Sequence, residues 1–348
     1  MPARALVFVS AALLALLAGV PAARLARRWG LVSAPNPERA GPGGIPLLGG
    51  PAVLAGLAGG LGVAALLGGS DLRHPAYWLL PVGLAVGFGV IGGIDDRRGL
   101  DPVLRLLLET LVASIVLRLG CVMTGGACPL GGLSVLVGAL VVTAAANAFN
   151  LADNADGLAA GVGTITLVGL AFWPTPGDPA ALWFAAAGAT GGLWLLNRPP
   201  ARIYLGDFGS LAVGGMIGYG LWQRWLAPPP GRSLLTTMLA LALLLGYTLF
   251  DPAYAVLRRL LAHRAPWVGG VDHPSHDLAA RLPSWNWGLA GVLLAQGISV
   301  AVGTAIGSAG APIAVAFAAM LVWAGLFAIA HVGARSRTRA GIQSPPGG

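Results

Sequence analysis

Long apolar runs, interrupted by short clusters of arginine, aspartate, glycine and proline, fill almost the whole sequence. A helix needs about 20 apolar residues to cross a bilayer. Runs of that order fall at 5–23, 46–69, 76–94, 103–120, 130–147, 157–173, 180–197, 208–226, 233–257, 286–307 and 310–332. The pattern predicts an all-α polytopic transmembrane bundle of about eleven spans, or ten if a weak one drops out. The fourth run is the weakest, because it carries Arg105, Glu109 and Arg118, and the sixth is short.

Composition agrees with a membrane bundle. Of 348 residues, 56% are hydrophobic and 10% charged, against roughly 25% charged in a soluble domain. So few charges cannot cover a water-facing surface. Glycine is in excess at 54 residues, and small residues let helices pack closely in lipid. The formal charge of +8 does not indicate nucleic acid: all basic residues are arginine, placed in clusters between apolar runs. With the N-terminus outside and the C-terminus cytoplasmic, sixteen of the 21 arginines fall in inner segments, as the positive-inside rule requires. A cleaved signal peptide over 1–23 is the rival reading of the first run. Arg24, Arg27 and Arg28 just after it resist export. Cys121 and Cys128 share one short outer loop; they can pair in an oxidising compartment and are too few for a metal cluster.

The acidic residues carry more information. Asp95, Asp96, Asp101, Asp153, Asp156, Asp207, Asp251, Asp272 and Asp277 fall at or near the predicted inner face, while Asp71 and Asp178 lie in outer loops. Positive-inside topology explains arginine and asks nothing of aspartate. Carboxylates near membrane depth are costly and point to function.

Four motifs hold them. Gly92-Gly93-Ile94-Asp95-Asp96-Arg97-Arg98 ends the third run with adjacent carboxylates, which repel unless water or a cation relieves them; a solvated helix end is the bland alternative. In Asn147-Ala-Phe-Asn150-Leu-Ala-Asp153-Asn-Ala-Asp156-Gly157, oxygen-bearing side chains recur every third residue, a slowly drifting helical face that can meet a hard cation or a nucleotide. A polar helix seam is the alternative. Gly206-Asp207-Phe208-Gly209-Ser210 opens the eighth run. Asp207 there either caps the helix or serves Mg²⁺ beside backbone N–H groups open to phosphate. Gly269-Gly270-Val271-Asp272-His273-Pro274-Ser275-His276-Asp277 places two histidines three apart, able to donate to a pyrophosphate or simply exposed. As a zinc site the ligand set is incomplete.

Together these segments resemble the polyprenyl-phosphate N-acetylhexosamine-1-phosphate transferases, the glycosyltransferase family 4 enzymes that include phospho-MurNAc-pentapeptide translocase and undecaprenyl-phosphate GlcNAc-1-phosphate transferases. The likeness runs from about residue 35 to 282 and takes in Pro35-Asn36-Pro37-Glu38-Arg39 and Ile45-Pro46-Leu47-Leu48-Gly49-Gly50. It implies a single transmembrane catalytic domain over 1–334, with 335–348 a basic, disordered cytoplasmic tail. The implied reaction moves a sugar 1-phosphate from a UDP-N-acetylhexosamine to a polyprenyl (undecaprenyl) phosphate, releasing UMP, at the cytoplasmic face of a bacterial-type inner membrane. It implies Mg²⁺, with Mn²⁺ as a substitute, held by Asn150 and Asp207, and a catalytic set of Asp95, Asp96, Asp156 and Asp207. Asn147, Asp153, Gly157, Arg202, His273 and His276 would bind substrate. A homodimer is compatible with such a bundle. The chain departs from the family's common Asp-Gly-x-Asp-Gly at Asp153-Asn154-Ala155-Asp156-Gly157. It also reads His-Pro-Ser-His where the pentapeptide translocase has three consecutive histidines, which points away from the peptidoglycan precursor as donor. Two rivals remain, an ion-coupled transporter and a noncatalytic lipid-binding scaffold. A transporter would place acidic residues mid-span and on both sides, and a scaffold would not need five aspartates in these motifs.

Overall fold

A computed structural model describes residues 1–33, 44–68, 72–123, 131–173, 175, 179–228, 230–265, 273–312 and 314–332. The Pro35–Arg39 segment, Cys128, residues 269–272 of the histidine motif and the 335–348 tail lie outside these. Among the described residues the structure is helical: α1 Pro2–Arg28, α2 Gly49–Leu66, α3 Pro75–Arg98, α4 Pro102–Met123, α5 Gly132–Leu151, α6 Leu158–Phe172 and α7 Ala180–Asn197. There follow α8 Gly206–Leu226, α9 Leu234–Leu245, α10 Tyr247–Leu261, the one-turn α11 Pro274–Ala279, α12 Trp285–Thr304 with a π-helical end at Ala305–Ala309, and α13 Ala314–Val332.

Each apolar run in the sequence became a helix or helix pair, but length and hydropathy do not qualify all as spans. Seven described helices suffice to cross a bilayer, and an eighth span results if α9 and α10 count as one. This is a multi-pass membrane architecture. Cys121, in the last turn of α4, is disulfide-bonded.

The 233–257 run is the clear departure. It is two helices meeting at 82°, not one straight span. The bend sits at Gly246, whose φ of 38° is accessible to glycine. Gln296 of α12 satisfies the backbone groups that the break exposes. Its Oε1 accepts from the Tyr247 N–H at 2.8 Å, and its Nε2 donates to the Leu244 carbonyl at 3.0 Å and to Thr166 Oγ1 at 2.9 Å. In an apolar interior such groups would otherwise cost several kcal/mol, about 2–7 each.

At the centre stands α8, packed against α3, α5, α2 and α6. Most of its residues are buried, from Gly209 through Trp222 without interruption. By contrast α4 turns Leu104, Leu107, Leu111 and Ile115 outward, the lipid-facing surface expected of a peripheral span. The α3–α8 contact is backbone to backbone. A Cβ on Gly92 would sit 2.2 Å from the Asp207 carbonyl oxygen and 2.7 Å from the Phe208 nitrogen. Glycine at 92 therefore brings the Asp95–Asp96 turn directly against the start of α8.

Candidate active site

The C-terminal turns of α3 and α5 and the N-terminal turns of α4 and α8 meet at one end of the bundle, and their polar side chains interlock. Asp95 is held by two short bonds, accepting from the Leu100 N–H at 2.6 Å and from Arg105 Nη1 at 2.6 Å. Arg105 also donates from Nη2 to Asn147 Oδ1 at 3.1 Å, and its Nη1 lies 3.6 Å from the Asp207 carboxylate. One turn along α4, the fully buried Glu109 accepts from Asn147 Nδ2 and sits 3.6 Å from Arg105 Nε. Asn150, three residues after Asn147, donates to Asp207 Oδ1 at 2.8 Å and to Ser210 Oγ at 2.7 Å. Asp95, Asn147, Asn150 and Asp207 thus share one polar cluster around the Arg105 guanidinium.

Asp96 turns the other way. Its two carboxylate oxygens accept from the backbone N–H groups of Asp207 and Phe208, each at 3.1 Å. The start of α8 has no side-chain cap from its own chain neighbour Leu205, so Asp96 caps it from α3. This corrects the expectation that Asp207 caps the helix or that these N–H groups stay open to phosphate. Gly206, at φ 70°, permits the arrangement, since a Cβ there would lie 3.0 Å from Asp96 Oδ2.

Asp153 lies half-buried in the α5–α6 connection. Burial, and then the charges of Asp207, Asp96 and Asp156, push its carboxyl up to about 7. A carboxyl raised above its unfolded value of 3.8 binds a proton on folding, so stability falls as pH rises between those values and levels off above the folded one. In cation-free detergent, Asp153→Asn is expected to melt a few degrees above the parent at about pH 8, the difference closing toward about pH 4. Equal melting at both pH values would contradict the raised carboxyl.

Asp156 stands one step back from the cluster. It accepts from the Ala201 N–H at 3.0 Å and from the Tyr204 hydroxyl at 3.2 Å, fixing the loop that leads into α8. Gly157 serves the same joint: its N–H donates to Asn197 Oδ1 at 3.2 Å and its carbonyl accepts from Trp194 Nε1 at 3.0 Å. The Arg202 side chain is exposed, and the residue's backbone N–H donates to the Leu196 carbonyl at 2.8 Å. His273 and His276, at the start and within α11, have ring centroids 6.0 Å apart. His273 Nδ1 lies 2.9 Å from Asp251 Oδ2, and Ser275 Oγ donates to Asn154 Oδ1 at 2.7 Å. Asn154 in turn approaches Asp251 at 3.4 Å. The histidine motif is therefore tied to the Asp153–Asp156 loop.

Sequence reasoning missed Arg105, Glu109 and Asp251 as site residues. The signal existed: Arg105 and Glu109 are charges one helical turn apart within an apolar run, and intramembrane charges mark function by default. Asp251 is a lone carboxylate within the 233–257 run.

The donor set suits a hard cation. Asp95, Asn150, Asp207 and Ser210 offer oxygen ligands, and Mg²⁺ is commonly held by one or two carboxylates together with substrate phosphates and water. Among the described residues no group of three or more acidic, histidine or cysteine side chains forms a ready cation cage. Turning the Asn150 amide over would set its oxygen beside Asp207, the pairing a cation needs.

The profile of "Glycosyl transferase family 4" matches residues 78–222. A phospho-N-acetylmuramoyl-pentapeptide-transferase of Synechococcus sp. (strain RCC307) is 34% identical over 280 residues, covering 69% of this chain and 72% of that one. The chain belongs to glycosyl transferase family 4. A second family relative, the decaprenyl-phosphate N-acetylglucosaminephosphotransferase of Mycobacterium tuberculosis (strain CDC 1551 / Oshkosh), is 28% identical over 303 residues, 79% of this chain and 75% of its own. The pentapeptide transferase of Synechococcus elongatus is 35% identical over 198 residues, half of this chain and 52% of the relative. The family 4 match runs from within α3 to within α8 and so contains Asp95, Arg105, Asn147, Asn150 and Asp207, but not Asp251 or the histidines.

Proposed function

We propose that the protein transfers a sugar 1-phosphate, N-acetylhexosamine 1-phosphate, from its UDP-activated form to a polyprenyl phosphate. The observation that carries this reading is the meeting of Asp95, Asn147, Asn150 and Asp207 around Arg105 at one end of a membrane bundle of this family. A lipid phosphate is already an anionic nucleophile and needs little from a base. The difficulty is bringing it to a diphosphate of the same charge, so catalysis is alignment and charge neutralisation.

In the proposed reaction an acceptor oxygen bonds to the sugar-bearing phosphorus. The bond to the bridging oxygen breaks, and UMP leaves with the electron pair. Arg105 supplies a fixed cation, oriented by Asp95 and Asn147, for phosphate oxygens. Asp207 and Asn150 would hold Mg²⁺ or Mn²⁺, which when bound supplies charge neutralisation across the donor phosphates. Asp153 and the loop pinned by Asp156 would contact the nucleotide, and His273 and His276 the diphosphate. The arginine bias supports a reading in which this end of the bundle faces the cytoplasm from a bacterial-type inner membrane, with the N-terminus outside.

Likeness to the Synechococcus pentapeptide transferases favours a second donor, the UDP-linked muramoyl pentapeptide. The His-Pro-Ser-His sequence is the reason for preferring the simpler hexosamine. Purified protein in detergent, given undecaprenyl phosphate, Mg²⁺ and a panel of UDP-sugars that includes the pentapeptide donor, is expected to release UMP with an N-acetylhexosamine. EDTA should abolish release. A folded protein that releases UMP from no donor would return the scaffold reading, and release indifferent to EDTA would remove the cation.

A further inference from the structure

Asp251 is fully buried in α10, at 0% exposure, inside an otherwise apolar run. Isolated carboxylates are not tolerated there, and this one is surrounded by donors. Its Oδ1 accepts from the Tyr247 hydroxyl at 3.0 Å, its Oδ2 lies 2.9 Å from His273 Nδ1, and Asn154 Nδ2 approaches both oxygens at 3.4 and 3.5 Å. A plain structural task, strapping α11 onto α10, is already performed elsewhere: Asp277 of α11 accepts from Tyr254 at 2.8 Å and pairs with Arg258, both on α10. Asp251 instead grips the ring of the histidine and, through Asn154, the loop between Asp153 and Asp156.

We propose that Asp251 is a positioning residue, which holds His273 by Nδ1 so that Nε2 is the atom presented to the diphosphate of the donor. This rests on the reading that His273 contacts the donor. A carboxylate only accepts, so Nδ1 carries the hydrogen toward Asp251 and the ring orientation is fixed. The remaining nitrogen, on the opposite side of the ring, is the one left for a phosphate oxygen, and it donates there when the ring is the imidazolium, with a hydrogen on each nitrogen. Asp251 needs no contact with substrate to matter, because its effect passes through His273. Its bond to Asn154 sets the histidine in register with the nucleotide loop.

The test uses the full chain in detergent, titrated calorimetrically with UDP and separately with uridine. Asp251→Asn and His273→Asn are each expected to weaken UDP binding about tenfold or more. The double variant should bind no more weakly than His273→Asn alone, and uridine affinity should hold throughout. Parent-like UDP affinity in Asp251→Asn, or losses that multiply in the double variant, would overturn the assignment. Tyr247→Phe removes another bond to Asp251 and should keep UDP affinity; a loss as large as that of Asp251→Asn would reduce the cluster to a strut.

If Asp251→Asn does not fold, the histidine series still decides. His273→Gln sets an amide nitrogen near the Nε2 position and should retain more UDP affinity than His273→Asn, whereas the reverse order or equality refutes the proposal. A parent that shows this coupling but releases no UMP with any donor would sink the proposed reaction and leave the positioning role standing. A parent that does not bind UDP would sink both.

Discussion

Asp207→Asn is expected to lower UMP release by about a thousandfold without loss of fold. The side chain faces the cluster, 3.6 Å from Arg105 and accepting from Asn150 at 2.8 Å, while the backbone around it is secured by other groups. Asp96 binds the N–H groups of residues 207 and 208, so the start of α8 does not depend on the Asp207 carboxylate. Removing its charge also relieves repulsion with Asp95 and Asp96. Melting temperature should therefore hold or rise as activity disappears. Asp96→Asn should do the opposite to stability, because an amide in that place accepts through only one oxygen. Single-turnover assays beside thermal melts in one detergent separate the two effects. An Asp207→Asn protein as active as the parent would remove this residue from the chemistry.

The second large effect is expected from a methyl group. Gly92→Ala would put a carbon 2.2 Å from the Asp207 carbonyl oxygen and 2.4 Å from its carbon, where both partners are backbone and no side chain can swing aside. Helix α3 must move off α8 by about an ångström. Overpacking of this kind costs roughly 1–3 kcal/mol. The functional loss should be larger than the thermal one, because the same shift pulls Asp96 from the α8 N–H groups and carries Asp95 away from Arg105. Misplacement by about 1 Å can cost on the order of a hundredfold in rate. Gly83→Ala is the control on the same helix, since a Cβ there meets nothing within 4 Å. If Gly92→Ala matched Gly83→Ala in melting and rate, the close contact would be irrelevant to the site.

Much of the architecture was legible in the hydropathy of the chain, because a bilayer admits few ways to satisfy a backbone and a long apolar run declares itself. The break at Gly246 was not. Leucines run up to it and apolar residues continue beyond it, so hydropathy sees one span, and the partner that makes the bend tolerable, Gln296, is 49 residues beyond Tyr247. The Asn147–Asn150 half of the polar stripe was readable for the opposite reason, since its groups repeat with helical spacing within one short segment, but α5 ends at Leu151 and leaves Asp153 and Asp156 in the connection to α6. What it could not convey was division of labour among identical side chains. Asp95 and Asp96 are neighbours in sequence and face different helices, and Asp156 braces a loop while Asp153 sits among the charges. Arg105 was treated as a flaw in a weak span, because its worth lies in the three segments whose side chains it touches, which only the fold brings together.

The glycine contact between α3 and α8 also bears on redesign. Since the turn that carries the two acidic residues and the start of α8 meet main chain against main chain, they form one inseparable part. Grafting the Asp95–Asp96 helix alone into another bundle would import its carboxylates without the surface that aims them. A transplant has to carry Gly206, Asp207 and Phe208 along with it.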